Sequence, residues 1–276
     1  MDITDILLPL KPGRDEGAAI AIAASLGHRF GARVCGLCLT PLPSLQPEDC
    51  YAFGASAIQE VLEHADADVK VRRLEVERPF RSAMRESKCE HGWSATAPGE
   101  LAVETALRAR VTDLVVLTRP WSTDGTDLPF VECMIRLAGV PCLLTPSESD
   151  PPASFEHVVV AWNGSRQAKR ALDDALPLLW AASRVTLLHA GHVDEAHGPH
   201  GDLVEYLAGK GINAKLALAP KGEHGPAHSL LDWCAQHQAD LLVMGAFGHT
   251  PRAERWLGGT TWTVLTTARL PVLMSC

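Results

Sequence analysis

The chain contains one pattern twice, in which short apolar runs of strand length alternate with segments of helical periodicity. Residues 113–117 read Asp-Leu-Val-Val-Leu, and residues 240–244 read Asp-Leu-Leu-Val-Met. Farther along each half, residues 140–144 (Val-Pro-Cys-Leu-Leu) match residues 270–274 (Leu-Pro-Val-Leu-Met). Such self-similarity indicates an internal duplication of one β/α unit. Strands that alternate with helices predict a parallel sheet covered by helices on both faces.

The length of the chain agrees with two such units. With 276 residues, of which 46% are hydrophobic, each half can bury a core of its own. A polar, proline-rich stretch at 146–152 suits a linker between them. We therefore predict an α/β protein of two tandem doubly wound parallel-sheet domains, at residues 1–146 and 153–276.

The periodicity of apolar residues places the elements within each unit. In the first half we expect strands at 5–10, 34–39, 69–76, 113–117 and 141–145, and helices at 17–30, 55–65, 100–111 and 131–138. In the second half we expect strands at 157–161, 185–189, 212–218, 241–244 and 271–275, and helices at 167–179, 201–210, 226–237 and from 254 onward. Apolar and charged residues alternate over 69–76, which favours a strand with one exposed face. Residues 77–98 show no clear period and are interpreted as an irregular insertion.

Composition argues against two classes of partner. A net charge of −8 and a pI of about 5.8 do not suit a nucleic-acid-binding surface, which needs clustered basic residues. No apolar run approaches the length of a membrane span, and Asp2 and Asp5 stand where a secretory signal would have basic residues. We expect a cytoplasmic protein whose eight cysteines are free thiols. Cys35 and Cys38 have C-x-x-C spacing, but on a strand such residues point to opposite faces.

A glycine-rich segment in the second half is the best candidate for a binding site. The apolar run 241–244 ends in Gly245-Ala-Phe-Gly248, and a second pair, Gly258-Gly259, precedes two threonines. Glycine allows positive φ angles and a close approach of backbone N–H groups to an anion. A strand that leads through a glycine turn into a helix start therefore suits phosphate binding.

The spacing of these glycines resembles the universal stress protein family. Nucleotide-binding members of that family have glycine, two residues, glycine, nine residues, glycine, and then serine or threonine; Gly245, Gly248 and Gly258 match the three glycines. Gly259 stands where the family has the hydroxyl residue, which removes one expected phosphate ligand. Thr260 or Thr261 could replace it.

The resemblance implies the adenine nucleotide alpha hydrolase-like fold and a nucleotide, ATP or another adenine nucleotide, bound in the second domain. Asn163 follows the first strand of that domain where nucleotide-binding members usually have aspartate, and Ala190 falls where the family's backbone meets adenine. A divalent metal could accompany the phosphates. The implied nucleotide-binding set is Ala161, Asn163, Ala190, Met244, Gly245, Gly248, Gly258, Gly259, Thr260 and Thr261.

The family's closing strand often pairs with its copy in a second domain. Here residues 141–145 could pair with residues 271–275 of the same chain, which would give an intrachain pseudo-dimer, with a homodimer as a further option. In the first half, Thr118-Arg-Pro-Trp121 replaces the glycine turn. We expect that half to have lost any phosphate site and to serve as a structural or interaction partner.

The leading function is therefore a stress-response protein whose second domain binds an adenine nucleotide as a regulatory or signalling module. No catalytic base is identifiable, so we expect no enzyme, although weak ATP hydrolysis stays open. The alternative is a member without nucleotide that acts through protein contacts, which Gly259 and Asn163 favour. A separate alternative is a metal site, because imidazole side chains bind Zn²⁺ and Ni²⁺. Four histidines cluster in one tract and form that alternative site: His189, His192, His197 and His200.

Overall fold

The computed structural model describes residues 2–40, 55–96, 101–119, 128–146, 154–190, 200–220, 222, 224–248 and 259–276. Within residues 55–68 and at 200 and 201, only the backbone is described. In these residues, no helix is long and apolar enough to cross a bilayer.

Strands and helices alternate along the described chain. The first half has strands β1 (Asp5–Leu10), β2 (Arg33–Cys38), β3 (His91–Ala95), β4 (Leu114–Thr118) and β5 (Cys142–Thr145), and helices α1 (Gly17–Phe30), α2 (Ala55–Glu86), α3 (Leu101–Ala109) and α4 (Leu128–Leu137). The second half has strands β6 (His157–Ala161), β7 (Arg184–Ala190), β8 (Ala214–Ala219), β9 (Leu241–Gly245) and β10 (Val272–Ser275), and helices α5 (Arg166–Asp174), α6 (Leu176–Ala181), α7 (His200–Gly209), α8 (Pro226–Gln236) and α9 (Thr260–Thr267).

All ten strands form one sheet, in the order β3-β2-β1-β4-β5-β10-β9-β6-β7-β8. Pairs within each half are parallel, and each half follows the same doubly wound order, so the predicted fold class is confirmed. The halves join through one antiparallel pair, β5 with β10, in which Leu144 faces Val272 and Cys142 faces Met274. The predicted intrachain pairing is thus confirmed. The linker lies mostly outside the described residues, and the division at 146 and 153 stays a prediction.

Helices cover both faces of the sheet, which explains why the strands read as continuous apolar runs. On one face, strand residues such as Ile6 and Val158 pack with α1, α2 and α5 to α7. On the other face, residues such as Leu7 and Val159 pack with α3, α4, α8 and α9. The strands between the two edges of the sheet therefore contribute alternate side chains to two separate cores.

The predicted strand at 69–76 is wrong, because these residues belong to the long helix α2. Its buried residues, Val76, Phe80 and Met84, recur every fourth position, whereas Val71 is 61% exposed. Apolar residues at such spacings satisfy a strand pattern and a helical one together, and tertiary packing selects the helix. The third strand is instead β3, within the segment 77–98 that we interpreted as irregular.

The helix expected at 167–179 is present but broken in two at Ala175, next to Pro177 in the first turn of α6, because proline cannot continue a helix from before it. The prediction of free thiols is confirmed for the described cysteines. The seven cysteines at described positions are free thiols, while Cys50 lies outside them. Cys35 and Cys38 contribute to opposite cores, and burial raises the pKa of both thiols.

Candidate functional site

A cavity of about 310 Å³ lies at the carboxyl ends of β6, β7 and β9. The order in which strands follow one another across the sheet reverses between β6 and β9. Ligands of doubly wound proteins bind at such a switch point. The volume is near the lower end of the range for small-molecule sites, roughly 300–1,000 Å³. Nine of the ten predicted residues line this cavity, and Gly258 lies outside the described residues. The nine are Ala161, Asn163, Ala190, Met244, Gly245, Gly248, Gly259, Thr260 and Thr261.

The turn after β6 is shaped by its own polar side chains. The Oδ1 atom of Asn163 accepts a hydrogen bond from the backbone N–H of Ser165 at 3.1 Å. The Oγ atom of Ser165 in turn accepts from the N–H of Ala168 at 3.1 Å and caps helix α5. The acceptor role identifies the oxygen of the Asn163 amide, so the amide nitrogen points elsewhere. Asn163 therefore has a structural role as well as its predicted ligand role.

Gly245 is required by packing. A Cβ atom at this position would lie 2.4 Å from the carbonyl carbon of Gln167 and 2.5 Å from the nitrogen of Ala168. Since both atoms are backbone, the first turn of α5 can contact the end of β9 only if this residue is glycine. Our sequence interpretation assigned Gly245 to an anion site alone and missed this contact with the helix.

The turn after β9 has its left-handed residue at an unexpected position. Phe247 has a positive φ angle of 55°, whereas Gly245 and Gly248 do not have positive φ angles. The backbone N–H of Phe247 donates to the Thr261 hydroxyl at 3.2 Å, which connects this turn to the first turn of α9. The two parts of the glycine motif are thus joined directly, and the strained residue is held by tertiary contacts.

Three helices begin at the cavity. Their first turns contribute Gln167 from α5, Pro226 from α8 and Thr260 from α9. The first N–H groups of a helix have no partner within it, and they give this end a partial positive charge. Gly259, the N-cap of α9, and Gly225, the N-cap of α8, offer no side-chain cap. The described lining contains no carboxylate, so its electrostatics favour an anion.

The histidine tract is only partly described. His189 lines the cavity, and its Nδ1 atom lies 2.9 Å from the Trp162 carbonyl oxygen. Because a carbonyl can only accept, Nδ1 must carry the proton. His192 and His197 lie outside the described residues, and the side chain of His200 is not described. No group of three or more metal-binding side chains occurs among the residues described, so the four-histidine site stays a prediction.

Several lining residues were missed by sequence reasoning. Trp162 is only 8% exposed, and its indole Nε1 has no hydrogen-bond partner in the described part of the chain. Its place directly after β6, between two predicted residues, is a signal that could have identified it. Gln167 could have been found as the first turn of the following helix. The remaining missed residues are Ser165, Ala168, Leu188, Pro226 and Leu230.

The fold and this cavity define a tandem doubly wound α/β protein with a binding cleft at the switch point of its second unit. Residues 221–275, which include α8, β9, α9 and β10, match the model of the universal stress protein family. The family resemblance drawn from the sequence is thereby confirmed. No curated protein matches the sequence.

Solved structures give the same fold over the full chain. A universal stress protein from Archaeoglobus fulgidus DSM 4304 is similar with a TM-score of 0.75 and 16% identity, covering 99% of this chain and 96% of that one. A putative universal stress protein from Pseudomonas aeruginosa UCBPP-PA14 gives a TM-score of 0.58 at 16% identity, with 99% and 93% covered. A universal stress protein from Archaeoglobus fulgidus in complex with dAMP matches 52% of this chain and 98% of its own, with 15% identity and a TM-score of 0.32.

Proposed function

We propose that the second half binds an adenine nucleotide and serves as a regulatory module. The match of residues 221–275 to the universal stress protein family model supports a role in the response to stress. The observation that carries the proposal is the convergence of nine implied residues, from four separate stretches of sequence, on one cavity. Convergence of this kind at a switch point is the usual basis for a ligand site in a doubly wound fold.

The phosphates would lie at the start of α9. Gly259, Thr260 and Thr261 form its N-cap and first two residues, and the N-terminus of α5 lies against the same cavity at Gly245. Backbone N–H groups and helix dipoles from two directions would stabilise a polyphosphate. The hydroxyl missing at Gly259 can be supplied by Thr260 or by Thr261, whose oxygen accepts from Phe247 while its O–H can still donate.

The base and ribose would lie between the ends of β6 and β7. Ala161 and Ala190 have small side chains, which leave space for a planar ring in the cavity. The amide nitrogen of Asn163 carries two donors, and they can bond ring or sugar acceptors because Oδ1 is directed at Ser165. This arrangement replaces the charge of an aspartate by a neutral donor.

We propose binding without turnover. Hydrolysis needs a general base or a metal-bound water beside the phosphates, and the described lining offers no carboxylate for either role. A divalent cation would then be held mainly by the phosphates themselves. Hydrolysis of ATP by the purified protein, lost together with binding in the variant below, would overturn this part.

A pair of substitutions at Gly259 tests the phosphate site. Gly259 has φ of −53°, which proline adopts without strain, and its carbonyl still accepts from Thr263. Gly259→Pro removes the N–H donor, whereas the matched control Gly259→Ala keeps it. By calorimetry we expect Gly259→Pro to weaken ATP binding about tenfold or more, equivalent to ~1.4 kcal/mol, and Gly259→Ala to bind nearly as wild type.

Three outcomes would contradict the proposal. Equal losses of ATP affinity in both variants would show that the Gly259 N–H group does not bind the phosphates. An equal loss for adenosine and ATP would place the phosphates elsewhere. Absence of any nucleotide binding by the wild-type protein at millimolar concentration would leave the alternative, a universal stress protein that acts through protein contacts.

A further inference from the structure

The first half contains a cavity of its own, of about 320 Å³, at the place that corresponds to the nucleotide cleft. It lies at the carboxyl ends of β1, β2 and β4, which are the counterparts of β6, β7 and β9 in the strand order. Equivalent residues from matched strand ends line it, such as Pro9 in place of Ala161 and Leu117 in place of Met244. Loss of the glycine turn therefore did not close this cavity.

Its walls are unsuited to a nucleotide. Helix α4 begins with Leu-Pro-Phe-Val at 128–131. The corresponding residues of the second half, 258–261, are Gly-Gly-Thr-Thr, and the two threonines begin α9. Pro129 has no N–H to donate, and Phe130 and Val131 put hydrocarbon where Thr260 and Thr261 put hydroxyls. Leu39 likewise stands where Ala190 leaves space for a base. The α4 side of the first cavity is thus an apolar wall.

The opposite side of the cavity is charged. Lys11, Arg14 and Glu16 line it. Glu16 is buried, and its carboxylate accepts from the backbone N–H of Lys11 at 3.1 Å and from the hydroxyl of Thr118. The Nη2 atom of Arg14 donates to the carbonyl oxygen of Arg119 at 2.8 Å, which fixes the guanidinium at the cavity.

We propose that this first-half cavity binds a small organic carboxylate with an apolar body. Its carboxylate would lie at Lys11 and Arg14, because guanidinium and ammonium groups bind carboxylates by charge-assisted hydrogen bonds. Its hydrocarbon would lie against Leu117, Phe130 and Val131. A polyphosphate would instead meet the Glu16 carboxylate and an apolar wall without donors. The ligand and the half of the chain both differ from those of the proposed nucleotide site.

Calorimetry with octanoate, octan-1-ol and octylamine separates charge from apolar contact. We expect octanoate to bind, octan-1-ol to bind about tenfold more weakly, and octylamine, which is cationic, not to bind. Lys11→Met and Arg14→Met should each weaken octanoate about tenfold. Lys215→Met, which removes an exposed lysine from β8, is the matched control and should bind octanoate as wild type.

A variant that blocks the cavity makes the test independent of charge. Ala102→Trp should abolish octanoate binding with a normal circular dichroism spectrum, since Ala102 lines the cavity from α3. Saturating ATP and the Gly259→Pro variant should leave octanoate binding unchanged, so this proposal can fail or hold separately from the nucleotide site. Equal affinity for octanoate and octan-1-ol, displacement by ATP, unaltered binding in both Lys11→Met and Arg14→Met, or no binding at millimolar concentration would overturn it.

Discussion

The two halves are alike at the amino ends of their strands and different at the carboxyl ends. Asp113 accepts from the backbone N–H groups of Thr4 and Asp5, at 2.8 and 3.0 Å. Its counterpart Asp240 accepts from Glu156 and His157, at 3.0 and 2.7 Å. The bonds that hold the strands in place are therefore the same in both halves, while the side chains around the two cavities differ.

The sharpest contrast lies at the last residue of β4 and of β9. The backbone beyond them is equivalent, because Arg119 and Ala246 each donate an N–H to the last residue of the neighbouring strand at 2.8 Å. Thr118 then directs its hydroxyl to the buried Glu16, whereas Gly245 lies in backbone contact with α5. One position thus supports a charged cluster in one half and close helix packing in the other.

Replacement of Gly245 by threonine, its counterpart in the first half, should have the largest effect on stability. Gly245→Thr places a Cβ atom 2.4 Å from the Gln167 backbone, so α5 must move away from β9. We expect a loss of about 3 kcal/mol in the free energy of unfolding, measured in urea. Gly248→Ala is the control, since its Cβ would find its nearest neighbour at 3.7 Å and should cost less than about 0.5 kcal/mol. Similar losses in both variants would contradict the packing role.

The reciprocal position should give a smaller effect. Thr118→Val leaves the buried Glu16 carboxylate with one donor fewer, and hydrogen bonds to charged groups contribute about 1.5–3 kcal/mol. We expect a loss of about 2 kcal/mol in urea unfolding. Thr118→Ser keeps the hydroxyl and should recover most of this loss. A valine variant as stable as the wild-type protein would show that this hydrogen bond contributes nothing to stability.

The contact of Arg136 with Phe247, which joins the two halves, should contribute still less to the free energy of unfolding. The guanidinium of Arg136 on α4 lies 3.7 Å from the ring centre of Phe247, and it also pairs with Glu132 at 2.9 Å. Arg136→Met should cost about 1 kcal/mol, through loss of the cation–π contact. Arg108→Met removes an equivalent pair to Glu104, at 2.7 Å, and should cost less than about 0.5 kcal/mol. Equal costs in thermal unfolding would mean that the ring contributes nothing.

The smallest difference concerns pH. Burial lowers the pKa of His157, which stands where the first half has Asp5. The unfolded chain then binds a proton more readily than the native state, so the free energy of unfolding should fall as the pH decreases through the ordinary histidine pKa of 6.5 and below it. His157→Gln should reduce this slope in urea unfolding at a series of pH values, with His28→Gln on the exposed side of α1 as control. An unchanged slope in His157→Gln would refute the assignment.

Most of the fold could be predicted because its strands are buried on both faces and read as unbroken apolar runs. The prediction failed at 69–76. Among residues 69–86 of α2, whose side chains are described, only Val76, Phe80 and Met84 are buried, and the exposed face alternates by chance. Helix identity there depends on packing against α1 and β2, which is invisible to local periodicity.

The site could be predicted as far as it follows the motif. Nine residues came from short segments next to strand ends, where position along the chain determines position in space. The role of Gly245 could not be predicted, since it depends on contact with Gln167 from a distant segment. The first-half cavity was missed for a related reason: the loss of its glycines indicated a lost phosphate site, but the cavity itself is formed by the strand ends.

The antiparallel pairing of β5 with β10 has a consequence for how this molecule can change. In an assembly of identical subunits, one substitution appears at every symmetric copy of a cleft. Here the two clefts are encoded separately and held together by the chain itself, so either cleft can be altered while the other stays unchanged. The association is also independent of dilution, because a tethered partner is present at a fixed effective concentration.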